Sequence, residues 1–100
     1  MANLKKHWNN FYKKKHINRE TSFARFVYNT IKRKKGNLLD IGCGNGRDTF
    51  YFINKNINAL GIDFSKTIIK KNQFYAKNNF MCKNFCTSKL NINSKFDYIY

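Results

Sequence analysis

The spacing of apolar residues changes period along this chain, and the changes fall at capping residues and glycines. Leu4, Trp8, Phe11 and Tyr12 recur at i, i+4, i+7 and i+8, which predicts a helix over 4–15. Thr21 or Ser22 can cap a second helix that carries Phe23, Phe26, Val27 and Ile31 on one face. Lys32 to Lys35 would fall in its last turn, where cations suit the helix dipole, and Gly36 stops it. Asn37-Leu38-Leu39-Asp40-Ile41 then reads as a buried strand, although a run this short could also be a piece of helix. Helical spacing returns over 46–55, a second strand follows over 57–62, and a helix runs from Ser65 to about Lys77. Ser65 is its N-cap, with Ile68, Ile69 and Phe74 facing the sheet. A short third strand is expected over 79–82, a loop over 87–95 and a fourth strand over 96–100. Such alternation implies parallel strands joined by right-handed crossovers, an α/β architecture.

The turn between the first strand and the next helix holds Asp40-Ile41-Gly42-Cys43-Gly44-Asn45-Gly46-Arg47-Asp48. Three glycines on alternate positions allow left-handed backbone and close approach of a ligand. In an α/β unit this turn lies at the carboxyl end of the strand, where ligands bind. The order is not the dinucleotide GxGxxG, because the third glycine comes one residue early, and no P-loop is present. A helix N-terminus by itself favours anions, so the acid ahead of the loop, Asp40, points to a cationic ligand.

Leu38 to Asp48 resembles motif I of class I S-adenosylmethionine-dependent methyltransferases. Ile57 to Ser65, with Asp63 at the strand end, resembles the second strand of that family. The resemblance covers roughly residues 8 to 100 and implies a Rossmann-like parallel sheet of strand order 3-2-1-4, preceded by two helices. It divides the chain into a helical cover, 1–35, and a cofactor-binding half-domain, 36–100, an incomplete form of the full family fold. It implies S-adenosylmethionine as cofactor. Gly42, Cys43, Gly44 and Gly46 would cradle its methionine part, Asp40 would face the ammonium, and Asp63 would take the ribose hydroxyls. Phe64 and Phe85 would lie near adenine. Asn84 stands where the family often has an Asp bonded to the adenine amino group, and its side-chain oxygen can accept the same bond. Trp8, Phe11-Tyr12 and Ser22-Phe23-Ala24 echo a subset with the GNGRD form, in which these segments cover the cofactor and acceptor pocket. Asp97 reads as structural, and His7 is the one general base to name. Acceptor-binding and catalytic residues of the family often follow strand four, so no catalytic residue is assigned.

Composition refines this picture. A hundred residues with 42% apolar content bound one small domain or part of one. No stretch approaches a membrane span, and the N-terminus is no signal peptide. Cys43, Cys82 and Cys86 form no CxxC pair and no metal-ligand spacing, which suits a reducing cytoplasm. The net charge of +15 comes from sixteen Lys and four Arg beside sixteen Asn and no Pro, a mixture that suggests AT-rich coding as much as selection. It would attract polyanions nonspecifically. Methyl transfer to a small molecule or glycan precursor, which the resemblance implies, is the leading expectation. The alternatives are a noncatalytic basic module for nucleic acid or for a partner subunit that completes the sheet, and an RNA methyltransferase.

Overall fold

Leu38 and Leu39, buried side by side on opposite faces, make Asn37–Ile41 the central strand β1. The computed structural model describes residues 19–33, 36–84 and 95–100. Ahead of β1 runs α1, Ser22–Ile31, and after it come α2, Arg47–Asn54, and β2, Asn58–Asp63. Helix α3, Lys66–Tyr75, a 3-10 turn, Lys77–Asn79, and strands β3, Phe80–Cys82, and β4, Tyr98–Ile99, complete the order. The strands form one parallel sheet in the order β3-β2-β1-β4, as expected. Element ends differ from the expected ones by a residue or two, except the end of α1, which stops at Ile31 ahead of the expected last turn of Lys32 to Lys35. The helix expected over 4–15 lies outside the described residues, as do Lys34 and Lys35.

Two apolar clusters hold these elements. Ala24, Ile31, Leu38, Tyr51, Phe52, Ile57 and Ala59 join α1 to α2 and the sheet. Phe50, Ile69 and Phe80 join α2, α3 and β3. Each fully buried phenylalanine contributes roughly 1.5–3 kcal/mol by leaving water. Gly61 lets Phe80 lie flat against β2: a Cβ there would stand 2.9 Å from the Phe80 ring and from the Thr49 hydroxyl.

Two helices are rotated from the expected orientation. Phe23 and Phe26 are 61% and 65% exposed, and the buried stripe of α1 is Ala24 and Ile31 with Val27 and Tyr28 partly buried beside it. Ala24 lets α1 approach α2 closely, which a phenylalanine there would prevent. In α3, Phe74 is 83% exposed and Ile68 half-buried, while Ile69 and Asn72 point inward. Asn72 earns that place by a hydrogen bond described below. The expected caps are present: Thr21 accepts from the Ala24 amide, and Ser65 from the Ile68 amide. Helix α1 ends at Ile31 with Lys32 as its C-cap, one turn before Gly36. Gly36 instead lies against Asp97, whose carboxylate accepts from the Asn37 amide, a structural role as expected.

Candidate functional site

The loop from Gly42 to Gly46 is fastened at its base by the Gly42 and Cys43 amides, which both donate to the Ile62 carbonyl at 2.9 Å. Gly42, Gly44 and Gly46 all have positive φ, at 73°, 54° and 81°. They do different work. A Cβ on Gly46 would come within 3.0 Å of the Phe50 and Phe80 rings, so Gly46 is buried for packing at the N-cap of α2. A Cβ on Gly44 meets nothing within 4 Å, so the backbone there is open to a ligand.

The Gly44 peptide is held from both ends by side chains. Asp63 Oδ2 accepts from the Gly44 amide at 3.0 Å, and Asn72 Nδ2 donates to the Gly44 carbonyl at 2.8 Å. Asp63 Oδ1 accepts from the Ser65 amide. Both carboxylate oxygens thus orient backbone, and each retains a further lone pair for a hydroxyl.

Asp40 is 6% exposed and accepts a 2.6 Å bond from the Thr49 hydroxyl. Burial raises its carboxyl to about 6; the Thr49 bond opposes the rise, and the nearby Asp48 charge adds to it. Asp48, in the first turn of α2, accepts from the Thr21 amide and hydroxyl at 2.8 and 2.9 Å and from the Tyr100 hydroxyl at 2.7 Å. Burial, countered by the Thr21 bond and reinforced by Asp48, pushes Tyr100 up to about 12, so it is a hydrogen-bond donor and no base.

A cavity of about 450 Å³ opens over the loop, within the range of small-ligand sites. Its walls are Asp40, Ile41, Gly42, Cys43, Gly44, Asn45, Arg47, Asp48 and Tyr100. Of the residues expected from sequence, Asp40, Gly42, Cys43 and Gly44 line it. Gly46 lies beneath the loop, and Asp63 lies behind Gly44. Phe64 is 70% exposed beside Asp63, and the Cys82 thiol donates to its carbonyl. Asn84 is exposed just past β3, where the preceding Lys83 amide donates to the Asp63 carbonyl. Phe85 and His7 lie outside the described residues. No group of His, Cys, Asp or Glu among the described residues could hold a metal ion. Nor is any helix among them long and apolar enough to cross a membrane.

Sequence reasoning assigned no site role to Thr21, Thr49, Asn72 or Tyr100. Asn72 carried one signal, a polar residue three positions after Ile69 on the inward stripe of α3. Thr21 and Tyr100 carried none, because their shared partner Asp48 is distant in sequence from both.

A family model described as "Methyltransferase domain" matches residues 32–99. Among solved structures, the chain is similar to the PH0226 protein from Pyrococcus horikoshii OT3, at 27% identity and a TM-score of 0.57. That likeness covers 80% of this chain and 43% of the other. It is also similar to the plantazolicin methyltransferase BpumL, solved in complex with a triazolic desmethylPZN analog and SAH, at 27% identity and a TM-score of 0.55. Here 95% of this chain and 39% of the other are covered. The chain thus spans about two fifths of the length of these two structures. A search of curated proteins finds no match.

Proposed function

The chain belongs to the methyltransferase-domain family, with a class I S-adenosylmethionine-dependent fold, and from that premise we propose that its glycine loop binds S-adenosylmethionine for methyl transfer. One observation carries the reading. The chain has five acids against twenty Lys and Arg, and three of the five, Asp40, Asp48 and Asp63, gather at this loop. A pocket that concentrates negative charge in so basic a protein suits a ligand bearing an ammonium and a sulfonium.

The residues present fit that ligand. The open face of Gly44 admits close backbone approach, and its amide and carbonyl are already oriented. Asp40 is the acid for the ammonium. Asp63 has lone pairs left for the ribose hydroxyls, and Phe64 and Asn84 stand beside it for adenine, with Phe85 next in the chain. When bound, the cofactor supplies a methyl group on a good leaving group. The protein's part is to orient that group and the acceptor and to exclude water. In this reading residues 1–35 act as the cover and 36–100 as the cofactor-binding unit.

We place a small molecule or glycan precursor first as acceptor on the family resemblance, since the cavity itself is assigned to the methyl donor. The net charge of +15 favours a second reading, an RNA acceptor or a noncatalytic nucleic-acid module. That the SAH-bound neighbour is a methyltransferase supports the cofactor and leaves the acceptor open.

The test is calorimetric titration of the chain with S-adenosylmethionine and S-adenosylhomocysteine, beside NAD. Saturable binding of the first two is expected. Gly44→Ala should weaken it at least several-fold in a chain still folded by circular dichroism, because its added methyl meets no protein atom and the left-handed φ of 54° costs only about 1–2 kcal/mol. A chain that is folded by circular dichroism and binds neither compound sinks the proposal.

A further inference from the structure

Thr21, Asp48 and Tyr100 are separated by 27 and 52 residues, yet they meet at one edge of the cavity. Every hydrogen of the group points the same way. Asp48 Oδ1 takes the Thr21 amide, and Oδ2 takes both hydroxyls. The Thr21 oxygen in turn accepts from the Ala24 amide and so caps α1. With both hydroxyls donating to the carboxylate, the 3.3 Å contact between them is secondary. The Tyr100 ring is gripped as well: Phe23 stacks on it at 5.6 Å, and Phe52 meets it edge-on at 5.1 Å. This explains why Phe23, exposed on α1, still has a fixed neighbour.

We propose that Asp48 is a positioning residue of this site: its carboxylate holds the Tyr100 phenol on the cavity wall and seats the first turn of α1 at the rim. The inference rests on the reading of the cavity as the methyl-donor site. Two parts of the chain that contribute nothing to the glycine loop are thereby built into its surroundings. Bonds to a charged acceptor are the strong ones, and here three fall on a single carboxylate. Losing Asp48 would free the cover helix and the phenol together.

Asp48 and Asp40 also line the same cavity, and this separates positioning from plain structural support. The groups around Asp40 are Thr49, Arg47 and Asp48 from α2 and Tyr100 after β4; Asp63, at the end of β2, is turned to the Gly44 and Ser65 amides. Burial is the main reason Asp40 is hard to ionise, and the Asp48 charge adds a smaller part in the same direction. A neutral residue at 48 would let Asp40 ionise at lower pH, whatever its effect on stability.

Asp48→Ala, Asp48→Asn and Tyr100→Phe test this by two measurements. The first is amide hydrogen exchange in α1 without ligand. The second is S-adenosylhomocysteine affinity as a function of pH. In Asp48→Ala, exchange at the start of α1 should rise and affinity fall about tenfold, the scale of losing charge-assisted bonds. Tyr100→Phe keeps the ring and should weaken binding about threefold with unchanged circular dichroism. Asp48→Asn keeps one acceptor oxygen for the two hydroxyls but sets an N–H against the Thr21 amide, so that bond is lost. It should bind between wild type and Asp48→Ala and move the pH midpoint of binding downward. If Asp48→Ala does not fold, Tyr100→Phe and Asp48→Asn decide. Wild-type binding, with folded variants that bind equally well at an unmoved midpoint, would overturn the inference alone. Absence of wild-type binding would overturn the donor reading, and this inference with it.

Discussion

Burial holds Asp40 at about 6, on the wall of a cavity that should receive a cation. The sign of the resulting pH dependence follows from linkage. The native carboxyl binds its proton more tightly than the unfolded one, whose ordinary value is 3.8. Below that value both states are protonated and there is no cost. Stability then falls as pH rises toward about 6, and above it the full cost of a buried charge remains. A bound ammonium reverses the balance by favouring the ionised form. Affinity for S-adenosylmethionine should therefore climb as pH rises to about 6 and level off above it, with proton release on binding at the lower pH. Titrations in buffers of different ionisation enthalpy measure that release. A pH-independent affinity in wild type would remove Asp40 from contact with the ligand's charge, and Asp40→Asn should abolish the slope. The glycines separate by packing. Gly46→Ala, with its Cβ driven against two phenylalanine rings in a left-handed conformation, should destabilise the fold by about 2 kcal/mol or more, read in urea. Asp40, the glycines and Asp63 could be proposed from the sequence because they stand at fixed offsets in two short motifs about 20 residues apart. Thr49 and Tyr100 could not, because their importance comes from partners that the fold brings to them.

At the scale of the element, strand direction was legible because short apolar runs alternate with helical spacing and crossovers are right-handed, whereas the strand order came from the family resemblance. Which face each helix buries was less legible. Hydrophobicity alone turns Phe23, Phe26 and Phe74 inward. The fold instead selects Ala24 for close approach and Asn72 for the Gly44 carbonyl, and it leaves those rings out. The two faces of α3 can be told apart by substitution. Ile69→Ala should cost about 2–5 kcal/mol, since the residue is 2% exposed within the Phe50–Phe80 cluster. Phe74→Ala should change stability by less than about 0.5 kcal/mol. Equal losses in chemical denaturation would mean that α3 packs through the face the sequence first suggested. Asn72→Leu is the more telling change at the site. It suits the core by volume yet leaves the Gly44 carbonyl without its donor, so ligand affinity should fall more than stability does.

For the whole molecule, the long-range field and the local one oppose each other. S-adenosylmethionine is a cation, so a protein of net charge +15 repels it at a distance. Binding must come from acids close enough to outweigh that field, and Asp40, buried, and Asp48, on the cavity wall, are so placed. Polyanions meet the opposite situation, since exposed lysines attract them from outside. The two kinds of binding therefore differ in their response to salt. Screening shortens the reach of charges to about 10 Å at 0.1 M and weakens contacts made through a basic surface steeply. Groups enclosed in a cavity are screened far less. Between about 0.05 and 0.5 M salt, affinity for a short RNA or heparin should fall by orders of magnitude. Affinity for S-adenosylmethionine should stay within about twofold. Direct titration across that range checks both. If the nucleoside ligand were lost in parallel with the polyanion, its binding would belong to the charged surface. The glycine loop would then be a packing device, and its acids would serve the fold alone.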